Sequence, residues 1–213
     1  MTIPAIIENR GITELLHFTT NKGCLGILAS RALKARSYLN EDARLEYIFQ
    51  PNAANRSRDL RWLGYVNLSV SAPNTEFFSI SAGTWHKYKD IWWCIMSFDP
   101  EILSHPSVVF CTSNNIWGGC ARDEGGAGLE AMFAPVVYGR YSTEIRRNDD
   151  LSPNFPTSEQ AEVLYPREIS TDYLRKIYVP NEAIGFEVQG QMGATDHPPV
   201  VVEHNADLFR NIR

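Results

Sequence analysis

The chain has 213 residues, of which 44% are hydrophobic and 11% aromatic, enough to bury a substantial core. Its net charge of −5 argues against a protein that binds nucleic acid through bulk charge alone. No apolar run approaches the roughly 20 residues that span a bilayer, and the start of the chain lacks the basic and apolar stretches of a signal peptide, so we expect a cytoplasmic protein.

The first part of the chain is expected to alternate short strands and helices. Leu15–Thr19 is an apolar run typical of a strand, and Asn21–Leu28 has apolar residues at helical spacing after a polar start. Residues 40–61 have a partly helical pattern and lead into the strand candidate Tyr65–Val70. This order places His17 near the end of the first strand.

Strands are expected to dominate the middle of the chain. Trp92–Phe98 and Val108–Phe110 are apolar segments bounded by turn residues. Residues 118–128 contain five glycines without the spacing of a phosphate-binding motif, which predicts a flexible connection. Residues 139–158 are polar and include two prolines, which predicts a loop long enough to suggest a function.

We expect a single domain, residues 1–213, that requires neither disulfides nor a metal. Its core would span about residues 11–180, with a C-terminal extension over 181–213. Ser170–Val179 is expected to form a short helix and a final strand, followed by weaker structure over residues 190–213. The cysteines are far apart and mostly within apolar segments, which indicates reduced core residues: Cys24, Cys94, Cys111 and Cys120.

Positive charge is concentrated near the N-terminus. Residues 1–61 hold nine Lys and Arg against six Asp and Glu, a local net charge of +3 that leaves −8 for the remainder. Seven of the nine lie between Arg31 and Arg61, with Tyr38, Tyr47 and Phe49 among them. Such a mixture can bind a phosphate backbone and stack a base, although a solvated helical face has the same spacing.

The most informative segment is a polar loop that runs into an apolar strand candidate, Pro156–Leu164. Gln160 and Glu162 are two residues apart, so an extended backbone would present them on one face. The carboxamide could hold an acceptor while the carboxylate stabilises a cationic sugar. Together with His17–Thr19, this pattern is typical of an ADP-ribosyltransferase site, although an ordinary exposed strand can carry the same triplet.

Six blocks in a fixed order are more specific than any triplet. They are His17–Thr19, Tyr65–Ser69, Trp93–Pro100, Thr112–Asn115, Gly128–Phe133 and Gln160–Tyr165. Together they resemble the DarT family of bacterial toxin ADP-ribosyltransferases, over roughly residues 11–180. The resemblance implies an α+β, ADP-ribosyltransferase-like fold whose central, split and mostly antiparallel β-sheet is flanked by helices.

The resemblance also implies the reaction and the partners. The donor would be NAD, the acceptor a base in single-stranded DNA, and a cognate antitoxin protein would oppose the toxin. The sequence leaves open whether that antitoxin carries a macrodomain that reverses the modification or is a simple inhibitor.

The chemistry of NAD indicates what the catalytic residues must do. Nicotinamide leaves the ribose through an oxocarbenium-like transition state, so the negative charge of Glu162 would stabilise the developing cation. Arg56 is the second catalytic candidate, because a guanidinium can bind the pyrophosphate or polarise the base. Arg58 is expected to bind NAD, although a surface pair with Asp59 would explain the same residues.

The remaining candidates bind NAD or the acceptor. His17 and Thr19 are expected to fix the adenosine-side ribose and the nicotinamide amide. Phe77 and Phe78 are candidates for stacking, of which we expect one at the site, since most aromatic residues fill cores. The acceptor candidates are Gln160, which can hydrogen-bond a base edge through both amide groups, Asn114, Asn115 and Tyr47.

Three classes of function stay open from the residues. The first is an ADP-ribosyltransferase acting on single-stranded DNA. The second uses the same donor site on RNA, protein or water, the last giving an NAD glycohydrolase, because a fold does not specify its acceptor. The third is an inactive nucleic-acid-binding module, against which the presence of His17, Gln160 and Glu162 argues.

Overall fold

The computed structural model describes residues 1–39, 60–85 and 90–209. Its helices are α1 (Ile3–Arg10), α2 (Asn21–Ser30), α3 (Arg36–Leu39), α4 (Thr75–Ile80), α5 (Gly125–Ala131) and α6 (Glu182–Ala194). Its strands are β1 (Leu15–Thr20), β2 (Ala32–Lys34), β3 (Tyr65–Val70), β4 (Trp93–Phe98), β5 (Val109–Cys111), β6 (Arg122–Glu124), β7 (Val136–Tyr138), β8 (Glu144–Arg146), β9 (Glu162–Pro166), β10 (Glu168–Ser170), β11 (Leu174–Val179) and β12 (Val201–His204).

Eight strands form one sheet in the order β12-β11-β4-β1-β3-β9-β5-β6. Each neighbouring pair is antiparallel except β11 and β12, which are parallel. Two small antiparallel pairs, β2 with β10 and β7 with β8, lie outside this sheet. The expected α+β fold with a mostly antiparallel sheet is therefore confirmed.

The sheet is split between β1 and β3. These two described strands pair through Leu15 with Val70 and through Leu16 with Ser69. On its other side, β1 pairs with β4 along its whole length, ending at Thr20 with Trp93. The second half of β1, which includes His17, therefore faces a gap in the sheet.

Both faces of the central strands are buried. All six residues of β4 are buried, and alternate residues contribute to different apolar clusters: Cys94 and Met96 to the main core, Ile95 to a second cluster. Strands buried on both faces carry mostly apolar residues, which explains why β4 stands out as a nearly continuous apolar run in the sequence, with Ser97 as its buried polar exception. The second cluster is largely aromatic and contains Phe18 and Phe78.

The glycine-rich segment 118–128 differs from the expected flexible connection. Its second half forms β6 and α5. A Cβ atom on Gly126 would lie 2.1 Å from the main-chain oxygen of Met1, and one on Gly128 would lie 2.5 Å from that of Asp123. These glycines permit close backbone packing, so the prediction of a flexible loop was wrong.

Two other segments contain more regular structure than the sequence predicts. The polar stretch 139–158 contains a short 3₁₀ turn, Arg140–Ser142, and β8, and is otherwise a loop. A C-terminal extension was expected over residues 181–213, with weaker structure over 190–213. Within residues 181–209 the chain forms α6 and β12, and β12 extends the sheet beside β11. No helix within the described ranges is long and apolar enough to cross a membrane.

Candidate active site

Three neighbouring strands bring three polar side chains together at the split. His17 lies on β1, Asn67 on β3 and Glu162 at the start of β9. Because β1 and β3 separate beyond Leu16, the His17 ring occupies the gap and bridges it with a hydrogen bond from Nδ1 to the main-chain oxygen of Asn67, over 3.0 Å. A carbonyl can only accept, so Nδ1 carries the proton and Nε2 is the acceptor in the neutral ring.

Asn67 joins His17 to Glu162. Its side-chain Nδ2 donates to Oε1 of Glu162 over 3.3 Å, while its main-chain oxygen accepts from His17. The sequence alone indicates no role for Asn67. Its place within the Tyr65–Ser69 block was the signal that could have identified it.

The Glu162 carboxylate is oriented from a second direction. The main-chain N–H of Asn115 donates to Oε2 of Glu162 over 2.8 Å, and Glu162 is 8% exposed. Within the described chain, a different donor thus reaches each carboxylate oxygen. These two bonds fix the orientation of the carboxylate, which is what a group acting on a developing cation requires.

Gln160 lies close to Glu162 but not on its strand. β9 begins at Glu162, and Gln160 belongs to a turn in which the N–H of Ala161 donates to the main-chain oxygen of Ser158 over 3.0 Å. The expectation that both side chains project from one face of an extended strand was therefore wrong. The turn still places Gln160 near the site, where it contacts the Asn114 side chain.

Both ends of the Gln160 amide have partners. Oε1 accepts from Nδ2 of Asn114 over 3.2 Å, and Nε2 donates to the carboxylate of Glu76, at the start of α4. These contacts fix which end of the amide carries the donor. Glu76 could not be identified from the sequence, because nothing in the sequence indicates that α4 meets the turn before β9.

Thr19 lies beside His17 but is 3% exposed. A Cβ atom on Gly23 would lie 2.1 Å from Oγ1 of Thr19, so the glycine allows the first turn of α2 to cover the threonine. Thr20 caps this helix, since its Oγ1 accepts from the N–H of Gly23 over 3.2 Å. The assignment of Thr19 to NAD binding stays a prediction.

Phe77 and Phe78 differ in environment. Phe78 is fully buried, with its ring centroid 4.6 Å from that of Phe18 and 5.2 Å from that of Trp93. Phe77 is partly buried, and its ring lies 5.5 Å from that of Phe18. Phe78 has no exposed surface with which to contact a ligand, so its assignment to NAD binding is corrected to the aromatic core. Phe77 is the better stacking candidate.

Three candidates from the sequence lie outside the described residues: Tyr47, Arg56 and Arg58. Their roles in catalysis, cofactor binding and acceptor binding stay predictions. The other candidates are connected by hydrogen bonds in two places. Asn67 joins His17 to Glu162. The segment after β5 contacts Gln160 through Asn114 and Glu162 through Asn115.

Cys111 lies next to the site but belongs to the core. It lies opposite Glu162 in the pairing of β5 with β9 and is fully buried. A hydrogen bond with Cys120, burial and the nearby negative charges raise the pKa of the Cys111 thiol. A thiol with a raised pKa stays protonated at neutral pH, so the environment does not favour nucleophilic chemistry at Cys111.

The site can therefore present a fixed carboxylate, an oriented imidazole and an oriented carboxamide around one gap in the sheet. In the described ranges, no cluster of three or more His, Cys, Asp or Glu side chains could hold a metal ion. A carboxylate and neutral hydrogen-bonding groups suit a substrate that develops positive charge during the reaction.

Comparisons with solved structures identify proteins of the same fold. Thermus sp. 2.9 DarT in complex with NAD+ is 16% identical, with a TM-score of 0.62 over 92% of this chain and 96% of that chain. Thermus sp. 2.9 DarT in complex with ADP-ribosylated ssDNA is 14% identical, with a TM-score of 0.66 over 93% and 96%. Thermosipho africanus DarTG in complex with ADP-ribose is 13% identical, with a TM-score of 0.65 over 92% of this chain and 51% of that chain.

The comparison with protein families covers nearly the whole chain. No curated protein matches it. The model of the family described as "ssDNA thymidine ADP-ribosyltransferase, DarT" matches residues 16–210, which include both the split sheet and the C-terminal helix and strand. The chain therefore belongs to the DarT family of single-stranded DNA thymidine ADP-ribosyltransferases.

Proposed function

We propose that this chain transfers ADP-ribose from NAD to a thymidine base in single-stranded DNA and releases nicotinamide. The observation that carries the proposal is the Glu162 carboxylate at the sheet split, with Asn67 and the Asn115 N–H on its two oxygens. The family match and the solved complexes of similar fold with NAD+ and with ADP-ribosylated ssDNA support the same donor and acceptor.

In the proposed reaction, the bond between the ribose anomeric carbon and nicotinamide breaks while a base nitrogen bonds to that carbon. Positive charge develops on the ribose, and Glu162 stabilises it while accepting a hydrogen bond from a ribose hydroxyl. The base nitrogen loses its proton, for which Glu162 is the proposed base. Arg56 remains the second catalytic residue proposed from the sequence.

The binding roles follow from the same placement. His17 and Thr19 would hold NAD on the β1 side of the gap, Phe77 would stack on it, and Arg58 would bind its phosphates. Gln160 and Asn114 would meet the acceptor base, with Asn115 beside them and Tyr47 stacking. A base held this way must be unpaired, because pairing in a duplex covers the nitrogen that reacts.

The proposed biological setting is that of a toxin opposed by an antitoxin. The similar chain from Thermosipho africanus is described as DarTG, and this chain spans about half its length. We propose a separate or fused antitoxin partner on this basis. A cytoplasmic location is proposed because the four cysteines are free thiols, which suits a reducing compartment.

Incubation of the purified chain with labelled NAD and separate acceptors tests the function. The acceptors are single-stranded DNA with thymidine, the same oligonucleotide with every thymidine replaced by cytidine, the corresponding duplex, RNA and protein. We expect label on the first alone, decreasing as salt rises because phosphate contacts weaken. Label on protein or RNA alone, or equal label on duplex and single strand, would contradict the proposed acceptor.

Glu162→Ala is the matched variant for the donor chemistry. We expect transfer to fall by at least about a hundredfold while NAD still binds, because the carboxylate acts mainly on charge that appears in the transition state. The assignment fails if the variant keeps more than about a tenth of the wild-type rate. Release of nicotinamide by the wild type without any labelled acceptor would instead identify an NAD glycohydrolase.

A further inference from the structure

The segment between β5 and β6, residues 112–121, supplies two contacts of the site. Asn115 donates its main-chain N–H to Glu162, and Asn114 donates its side-chain Nδ2 to Gln160. The position of this 112–121 loop therefore sets the orientation of both the carboxylate and the carboxamide.

Arg122, the first residue of β6, binds the 112–121 loop from its outer side. Its Nε donates to the main-chain oxygen of Asn115 over 3.1 Å, and its Nη2 reaches the same oxygen. Nη2 also donates to the oxygen of Trp117 and Nη1 to that of Cys120, each over 2.9 Å. One guanidinium thus joins three carbonyls along the loop.

Asn115 links this guanidinium directly to the catalytic candidate. Its main-chain oxygen accepts from Arg122, while its N–H donates to Glu162. These two bonds hold the main chain of Asn115 between Arg122 and Glu162. The loop also turns sharply at Asn114, whose Oδ1 accepts from the N–H of Ile116 over 3.2 Å, so a shift at Asn115 would also move the amide that meets Gln160.

We infer that Arg122 is a positioning residue for ADP-ribose transfer, acting on Glu162 and Gln160 through the 112–121 loop. The expected fall in transfer rate rests on the proposed function, whereas the expected effect on the position of the loop rests on the hydrogen bonds alone. Arg122 is an exposed residue at the edge of the sheet. The hydrogen bonds of its guanidinium described above go to main-chain oxygens of the loop and not to Glu162 or Gln160.

The geometry requires arginine. Several donors in a rigid fork reach carbonyls from three different residues, whereas lysine has one flexible ammonium group. Lysine can restore the charge and some of the contacts but cannot reproduce the fork. A displacement of about 1 Å in a catalytic group can reduce the rate by about a hundredfold. Substitution of Arg122 should therefore lower kcat for transfer much more than it changes KM for NAD.

The experiment compares Arg122→Gln, Arg122→Lys and Arg175→Gln with the wild type. Arg175 is the matched control, because it is an exposed arginine on β11 that pairs with Asp99, four strands from β9 in the sheet. For Arg122→Gln we expect kcat for transfer to fall by about 10- to 100-fold, with KM for NAD within about threefold. Arg122→Lys should fall between that variant and wild type, and Arg175→Gln should match wild type.

Amide hydrogen exchange supplies a measurement that needs no substrate. In Arg122→Gln, protection of the Asn115 N–H should fall by at least about tenfold while protection in β1, β3 and β4 is kept. If the wild type modifies no DNA, the proposed function fails, and the exchange result still tests the positioning role. Unchanged Asn115 protection, a kcat equal to wild type, or a loss of protection across the whole sheet would each overturn the inference.

Discussion

Asn67 and Glu162 meet across adjacent strands, with Nδ2 of Asn67 3.3 Å from Oε1 of Glu162. The main-chain oxygen of the same asparagine accepts a hydrogen bond from Nδ1 of His17. A neutral donor at this position orients the carboxylate, which the proposed mechanism places beside the cationic ribose of the substrate. We therefore propose that the amide of Asn67 belongs to the NAD site together with the carboxylate that it orients.

Substitution of Asn67 tests this relationship. Asn67→Ala should reduce kcat for transfer by about tenfold or more, because Glu162 loses one orienting donor. Asn67→Asp should reduce it further, since two carboxylates at this distance cannot both stay ionised. Ser69→Ala, two residues along the same strand, is the control. Steady-state rates that rank Asn67→Asp equal to or above Asn67→Ala would contradict the donor role.

His17→Ala should raise the NAD concentration that transfer requires. The ring lies in the sheet gap, where Nδ1 donates to the main-chain oxygen of Asn67, and we propose that the ring contacts NAD from this position. Calorimetry on the variant should show NAD affinity reduced by about tenfold, the equivalent of about one or two lost hydrogen bonds. An unchanged affinity in a folded variant would assign His17 to a structural role between β1 and β3.

The sequence was sufficient to nominate several polar residues that the structure brings together at the split. Glu162, Gln160 and His17 stand in recognisable blocks, and β1, β3 and β4 are marked by apolar runs. It was not sufficient to find Asn67 as a partner of Glu162 or Glu76 as a partner of Gln160, because those contacts depend on strand register and on where α4 packs.

Main-chain contacts were even less accessible to sequence reasoning. The N–H that holds Glu162 belongs to Asn115, and any residue except proline could supply it. The glycines at 126 and 128 illustrate the same difficulty, since glycine permits both flexible loops and close backbone packing. Only the positions of Met1 and Asp123 in space decide between these two uses.

Gln160→Ala should separate transfer from NAD cleavage. The Gln160 amide is held between Asn114 and Glu76, which fixes its orientation, and it is the proposed contact for the acceptor base. We expect labelled DNA to decrease by about tenfold or more, as expected when a hydrogen bond to the substrate is lost, while slow hydrolysis of NAD continues. Parallel loss of both activities would place Gln160 in the donor site instead.

Glu76→Ala should disturb the Gln160 amide without removing it. Without the Glu76 carboxylate, the Gln160 amide loses the partner of its Nε2 and can rotate. Transfer to single-stranded DNA should fall by less than in Gln160→Ala, and the NAD requirement should stay unchanged. The two variants combined should lose no more than Gln160→Ala alone, because they affect one contact. Additive losses in a double-mutant cycle would show that Glu76 acts independently of Gln160.

The two adjacent phenylalanines allow packing to be distinguished from ligand binding. Phe78→Ala removes a fully buried ring that packs against Phe18, Trp93 and Phe209, so it should lower the free energy of unfolding by about 3–5 kcal/mol. Phe77→Ala removes a partly buried ring and should cost less stability while weakening NAD binding. Denaturant unfolding measures the first effect and calorimetry on the folded fraction measures the second. If Phe78→Ala weakens NAD binding at full folding and Phe77→Ala does not, the stacking role belongs to Phe78.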